Sequence, residues 1–126
     1  MNNAVLDASA LLALLQGEPG SDRVLETLPG ALVCSVNLSE VVAKLAGHDM
    51  PEADIRRALN LGLEIVPFDE ALAWAAGLLR PLTRGAGLSL GDRACLALAR
   101  STSFPVLTAD AVWATLDLGI EIAVIR

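Results

Sequence analysis

Four of the fifteen acids in this chain stand where chemistry could use them. Asp7 follows the apolar stretch Val5-Leu6, and Asp110 follows Leu107-Thr108-Ala109. Glu40 and Asp92 fall in the first turn of helical patterns, in Asn37-Leu38-Ser39-Glu40-Val41-Val42 and Leu88-Ser89-Leu90-Gly91-Asp92-Arg93-Ala94-Cys95. Carboxylates pooled at one rim repel one another and carry raised pKa values unless something cationic joins them. Mg2+ or Mn2+ is the natural partner, because both take oxygen ligands and Mg2+ keeps several of its waters. Two such ions about 3.5–4 Å apart activate a water and steady the leaving oxygen of a phosphodiester. Ser9 and Thr108 each lie two residues from an acid, Asp7 and Asp110 respectively. Their hydroxyls are placed to orient a carboxylate or a metal-held water.

Helix capping competes with this reading at every one of these positions. Asn37 with Glu40, and Ser89 with Asp92, have the spacing of a capping box, in which an acid in the first turn reaches back to the cap. Asp7 and Asp110 suit helix caps as well, and so do the Ser9 and Thr108 hydroxyls. Capping explains each acid taken singly. It does not explain an acid at all four points without matching basic residues.

The elements that would position these residues alternate along the chain. Short apolar runs predict strands at Ala4 to Leu6, Ala31 to Cys34, Leu63 to Pro67, Phe104 to Thr108 and Ile120 to Ile125. Helices are predicted after Asp7 to Gln16, from Ser21 or Asp22 to Leu28, and from Ser35 or Asn37 to about Ala46 with Gly47 as C-cap. Another starts at Pro51 and closes before Gly62, one capped by Asp69 carries Trp74 and stops near Pro81, and one runs from Leu90 to Arg100 behind Ser89. Ala111 to Leu116 predicts a short helix, and Thr83 to Leu88, with two glycines, the most flexible stretch. Strands alternating with helices make a parallel sheet with helices on both faces, hence a three-layer α/β fold. In such a sheet the strand ends and the starts of the following helices share one edge, so all four acids can converge. At 126 residues, one domain over 1–126 is expected.

Composition narrows the function classes. Nine basic residues against fifteen acids give a net charge of −6, which argues against a nucleic-acid partner unless the acids gather metal ions that invert the local field. The hydrophobic fraction of 54% exceeds what a small monomer buries and implies a dimer or partner surface. Cys34 and Cys95 are far apart, without a metal-binding pattern, and fit reduced core residues in a cytoplasmic protein. The apolar run from Ala8 to Leu15 has no basic leader and is too short to span a bilayer, so neither targeting nor a membrane is expected.

Other charged and aromatic residues carry less. Arg93 follows Asp92 directly and is a candidate phosphate contact, with an intrahelical or surface pair as the alternative. Lys44, four residues after Glu40, has the favourable order for a simple helix pair. Arg80 and Arg84 flank the glycine-containing stretch and could touch a nucleic-acid backbone. His48, the only histidine, sits beside Gly47 at a helix end and is expected in a surface or capping role, so a Ser-His-Asp or Cys-His hydrolase has no base. No glycine-rich phosphate loop appears, and aromatics at 3% leave no base-stacking platform. Trp74, Trp113, Phe68 and Phe104 are expected in the core or a dimer contact.

The run Val5 to Leu15, the helical Glu40, the run Leu88 to Ala99 and Leu107-Thr108-Ala109-Asp110, taken in order, resemble the PIN-domain family. The similarity is greatest to the VapC-type toxins of bacterial toxin–antitoxin modules. It covers the whole chain, and no acidic position departs from the pattern. The resemblance implies a five-stranded parallel sheet and a Mg2+- or Mn2+-dependent endoribonuclease whose acidic quartet maps onto Asp7, Glu40, Asp92 and Asp110. It also implies a homodimer and a separate VapB-like antitoxin that wraps the toxin and blocks the site, for which the apolar surplus predicts a groove between early helices. The alternative is a PIN-like scaffold that binds RNA or protein without cutting. A phosphoacceptor receiver module is disfavoured, since it needs an acidic pair after the first strand and a late lysine, and the only lysine is Lys44.

Overall fold

Val5 and Leu6 are both fully buried yet point to opposite faces of the sheet, so each face needs its own cover. The computed structural model, which describes residues 3–126, supplies it with helices on both sides. The strands are β1 (Val5–Leu6), β2 (Leu32–Cys34), β3 (Glu64–Val66), β4 (Val106–Thr108) and β5 (Ile122–Val124). They form one parallel sheet in the order β3-β2-β1-β4-β5, with Val5 in register with Leu32 and Val106. The helices are α1 (Ala8–Gln16), α2 (Ser21–Leu25), α3 (Ser35–Gly47), α4 (Glu52–Ala58), α5 (Glu70–Leu78) and α6 (Leu90–Thr102), with 3-10 turns at Pro81–Ala86 and Ala111–Thr115.

The period-2 alternation of the strands sorts the core into two. Val5, Leu32, Cys34 and Val106 pack with α5, α6 and Trp113. Leu6, Val33 and Leu107 pack with residues of α1 to α4, including Leu11, Val24, Val41 and Ile55. α6 is the most buried helix, with an unbroken run from Ala94 to Ala99 inside. The strand order reverses direction between β1 and β4. A crevice opens at the carboxyl ends of strands at such a switch point, and Asp7 and Asp110 follow these two strands.

Several expectations are corrected. The strands are shorter than their apolar runs, because β3 and β5 are edges and Glu64 and Ile65 of β3 are exposed. The second helix ends at Leu25, three residues early. The third helix contains Gly47, and His48 caps it. The stretch expected to be most flexible folds as the 3-10 turn Pro81–Ala86, pinned by the buried Thr83 hydroxyl donating to the Leu79 carbonyl at 3.0 Å. Trp113 is buried as expected, whereas Trp74 stands 66% exposed on α5 beside Leu78. No helix among the described residues is long and apolar enough to cross a membrane.

Candidate active site

Asp7 ends β1 and caps α1, and its carboxylate is only 4% exposed. It receives the Ala10 N–H at 2.8 Å on Oδ1 and the Thr108 hydroxyl at 2.6 Å on Oδ2. The Ser9 hydroxyl lies 2.7 and 2.9 Å from the two oxygens. Each hydroxyl carries one proton. Ser9 Oγ accepts the Ala109 N–H at 2.9 Å and Thr108 Oγ1 accepts the Asp110 N–H at 3.0 Å, so both hydroxyl protons are left for Asp7. The expected role of Ser9 and Thr108 in orienting a carboxylate therefore has a definite geometry. Burial pushes the Asp7 carboxyl above the ordinary range, the three hydrogen bonds oppose it, and the charge on Asp92 adds to the rise.

Asp92 sits in the first turn of α6 and completes a capping box with Ser89. Its Oδ2 accepts the Ser89 N–H at 3.0 Å while its own N–H donates to Ser89 Oγ at 3.2 Å. Asp110 is exposed and caps the 3-10 turn, its Oδ1 accepting the Val112 N–H at 3.0 Å. For these three acids capping and a place at the rim coincide.

Glu40 differs. α3 starts at Ser35 behind Cys34, so Asn37 lies inside the first turn and the expected Asn37–Glu40 capping box does not form. The Asn37 amide nitrogen donates instead to Glu40 Oε1 at 2.9 Å and to the Gly91 carbonyl at 3.0 Å, tying α3 to the start of α6. Sequence reasoning passed over Asn37 and Gly91 as site residues. The signal was the apolar neighbours that put Asn37 on the buried face of α3.

The Cys95 thiol lies buried within the first turns of α6. Burial raises it well above the usual thiol value, and the charges of Asp7, Asp92 and Glu40 add to that effect. Asp110 is linked to Asp7 through the Thr108 hydroxyl. Among the described residues the ion pairs are Arg56 with Glu52, Arg57 with Asp54, and Arg126 with Glu18, so none involves the four acids. The expected Lys44–Glu40 pair is absent. Arg93 donates to the Ala76 carbonyl at 3.1 Å and braces α5, with its Nε buried and unpartnered.

Three of the acids hold one oxygen by a local hydrogen bond and leave the other without one among the described residues: Asp92 Oδ1, Asp110 Oδ2 and Glu40 Oε2. No group of three or more His, Cys, Asp or Glu side chains placed to hold a metal ion forms among the described residues. The donors still fit a hard divalent ion. They are all oxygens, one oxygen of each of three acids is uncommitted, and Mg2+ binds through one or two carboxylates while its waters and substrate phosphates fill the rest. Away from the rim, α3, α4 and β3 enclose an apolar groove of about 890 Å³ lined by Leu38, Val42, Met50, Ile55 and Ile65 among others.

A model of the PIN domain matches residues 4–118. Ribonuclease VapC42 of Mycobacterium tuberculosis is 33% identical over 115 residues, covering 82% of this chain and 87% of that protein. A toxin–antitoxin complex from Klebsiella pneumoniae shares the fold with a TM-score of 0.72 at 22% identity, over 94% of this chain and 99% of that one. VapBC2 from Rickettsia felis, bound to a promoter DNA fragment, does so with a TM-score of 0.71 at 16% identity, over 96% and 97%. The family model spans nearly the whole chain and a VapC ribonuclease is similar along most of it, so this chain belongs to the PIN-domain family.

Proposed function

We propose that this chain is a divalent-metal-dependent endoribonuclease of the VapC type, acting as the toxin of a toxin–antitoxin pair, with residues 1–126 working as one catalytic domain. The observation that carries the reading is the placement of the acids: Asp7 and Asp110 follow the neighbouring strands β1 and β4, Asn37 ties Glu40 to Gly91 beside Asp92, and among the described residues none of the four has an ion-pairing partner. Asp7, Asp92, Glu40 and Asp110 would hold Mg2+ or Mn2+. A bound ion supplies Lewis-acid activation of water and neutralises charge at the scissile phosphate. Ser9 and Thr108 hold both Asp7 oxygens and so fix the orientation of its carboxylate at the carboxyl end of β1. Arg93 is tied to α5, which favours a bracing role over phosphate contact.

Purified protein should cleave RNA with Mg2+ or Mn2+ and stop on chelation, and Asp7→Asn and Asp92→Asn should each lose most of that activity. Equal cleavage by variants and wild type would sink the proposal. The open spacing of the acids favours one second reading, a silent RNA- or protein-binding scaffold, which metal binding without turnover on any RNA would support.

Two surfaces suit the partners. The groove between α3, α4 and β3 has an apolar floor, which suits the apolar face of an amphipathic antitoxin segment. Trp74 and Leu78, one turn apart on α5, offer a second copy of the chain an exposed apolar strip.

A further inference from the structure

We infer that Asn37 and Gly91 are positioning residues that set the Glu40 carboxylate against the start of α6, an inference that rests on Glu40 belonging to the metal site. Asn37 is 1% exposed, and a buried amide is retained where its hydrogen bonds matter. Both neighbours that it faces are acceptors, a carboxylate oxygen and a backbone carbonyl, so only its nitrogen can turn toward them. The other end of the amide, Oδ1, is then left buried without a partner. The fold tolerates that orphaned acceptor while the two donor protons stay on Glu40 and Gly91.

Gly91 provides the space. A Cβ on Gly91 would lie 2.4 Å from Glu40 Oε2 and 2.6 Å from Oε1, so the carboxylate rests on the bare backbone next to Asp92. Its φ is ordinary for a helix, so chain flexibility is not why glycine stands there. The amide holds one oxygen of Glu40, the missing side chain admits the other, and together they bring a residue of α3 onto α6. Among the described residues neither makes a side-chain hydrogen bond to another of the acids, and since Gly91 directly precedes Asp92, the double variants with Glu40→Ala separate an effect through Glu40 from one through Asp92.

The test titrates Mn2+ alone into metal-stripped protein by calorimetry, beside melting temperature and RNA cleavage, for Asn37→Leu, Gly91→Ala, Glu40→Ala and the two doubles with Glu40→Ala. Changes to groups that orient a metal ligand weaken binding by about 10–100-fold, and that loss is expected for both single variants. Alanine is the better helix former, so Gly91→Ala should melt no lower than wild type while losing Mn2+ affinity. In the Glu40→Ala background neither change should weaken Mn2+ further, whereas a merely structural role would add to the loss. Should Asn37→Leu fail to fold, Gly91→Ala decides alone. Wild-type Mn2+ affinity in Gly91→Ala, with Glu40→Ala weakened, overturns the inference and leaves the metal-site reading standing. Wild-type affinity and cleavage in Glu40→Ala overturns that reading itself.

Discussion

Thr108→Val removes one oxygen and keeps the branched shape. That oxygen donates to Asp7 Oδ2 at 2.6 Å and accepts the Asp110 N–H at 3.0 Å, on a side chain with no exposed surface. A hydrogen bond to a charged group contributes roughly 1.5–3 kcal/mol, and the added methyl returns at most ~0.8 kcal/mol by burial. The net loss near neutral pH is expected to be about 1.5 kcal/mol. For 126 residues, an unfolding entropy of ~2.1 cal/mol/K per residue converts this to a fall of roughly 6 °C in melting temperature. Scanning calorimetry with chelator present reads it. Asp7→Asn is the internal control: with the acceptor uncharged, the cost of Thr108→Val should drop to roughly 0.2 kcal/mol, a coupling that a double-mutant cycle measures. A melting temperature within about 2 °C of wild type, or equal cost in both backgrounds, refutes the reasoning.

Asp7→Asn should remove the pH dependence that the buried carboxyl imposes on the metal-free protein. The folded carboxyl titrates above the ordinary aspartate value, so its contribution is full below that value and is lost as pH rises through the folded pKa. Melting curves across this range should show wild type losing ground to the variant as pH rises, and the opposite trend would reject the burial argument. Trp74→Glu places a charge on the exposed strip of α5 and should turn a dimer into a species of one 13.1 kDa chain by light scattering, with RNA-independent Mn2+ affinity unchanged. Val42→Glu, in the α3–α4 groove, should abolish co-purification with a co-expressed antitoxin and leave the dimer intact; retained co-purification would place the antitoxin elsewhere.

How much of this was legible in sequence depended on whether local rules decided the outcome. The α1 cap at Asp7, the α5 cap at Asp69 and the Ser89–Asp92 capping box were readable because each is fixed within four residues. The parallel sheet followed from short apolar strands alternating with helices, as found. Asn37 was misread because its partner across the fold, the Gly91 carbonyl, is 54 positions away and no local pattern announces it. Composition makes Thr83 to Leu88 read as flexible because its two glycines outweigh Thr83, whose hydroxyl pins the Pro81–Ala86 turn only once α5 is in place. Trp74 was assigned by residue type to a core or dimer contact, and in the single chain it faces solvent.

Capping and metal ligation looked like rival explanations of the acids, and the geometry makes them complementary. A cap fixes a carboxylate at the start of a helix by one oxygen, where the first-turn N–H groups are unpaired. In a parallel sheet the helix starts that follow the strands crowd the same edge, so caps there deliver their second oxygens to a common place. Asp92 and Asp110 are held in this way. Asp7 is the exception, with backbone and hydroxyl donors on both oxygens, and it is also the buried one. An acid clamped at both oxygens cannot swing to meet a ligand, whereas its singly held neighbours can. In the proposed metal site Asp7 is thus the fixed point, around which the three others adjust.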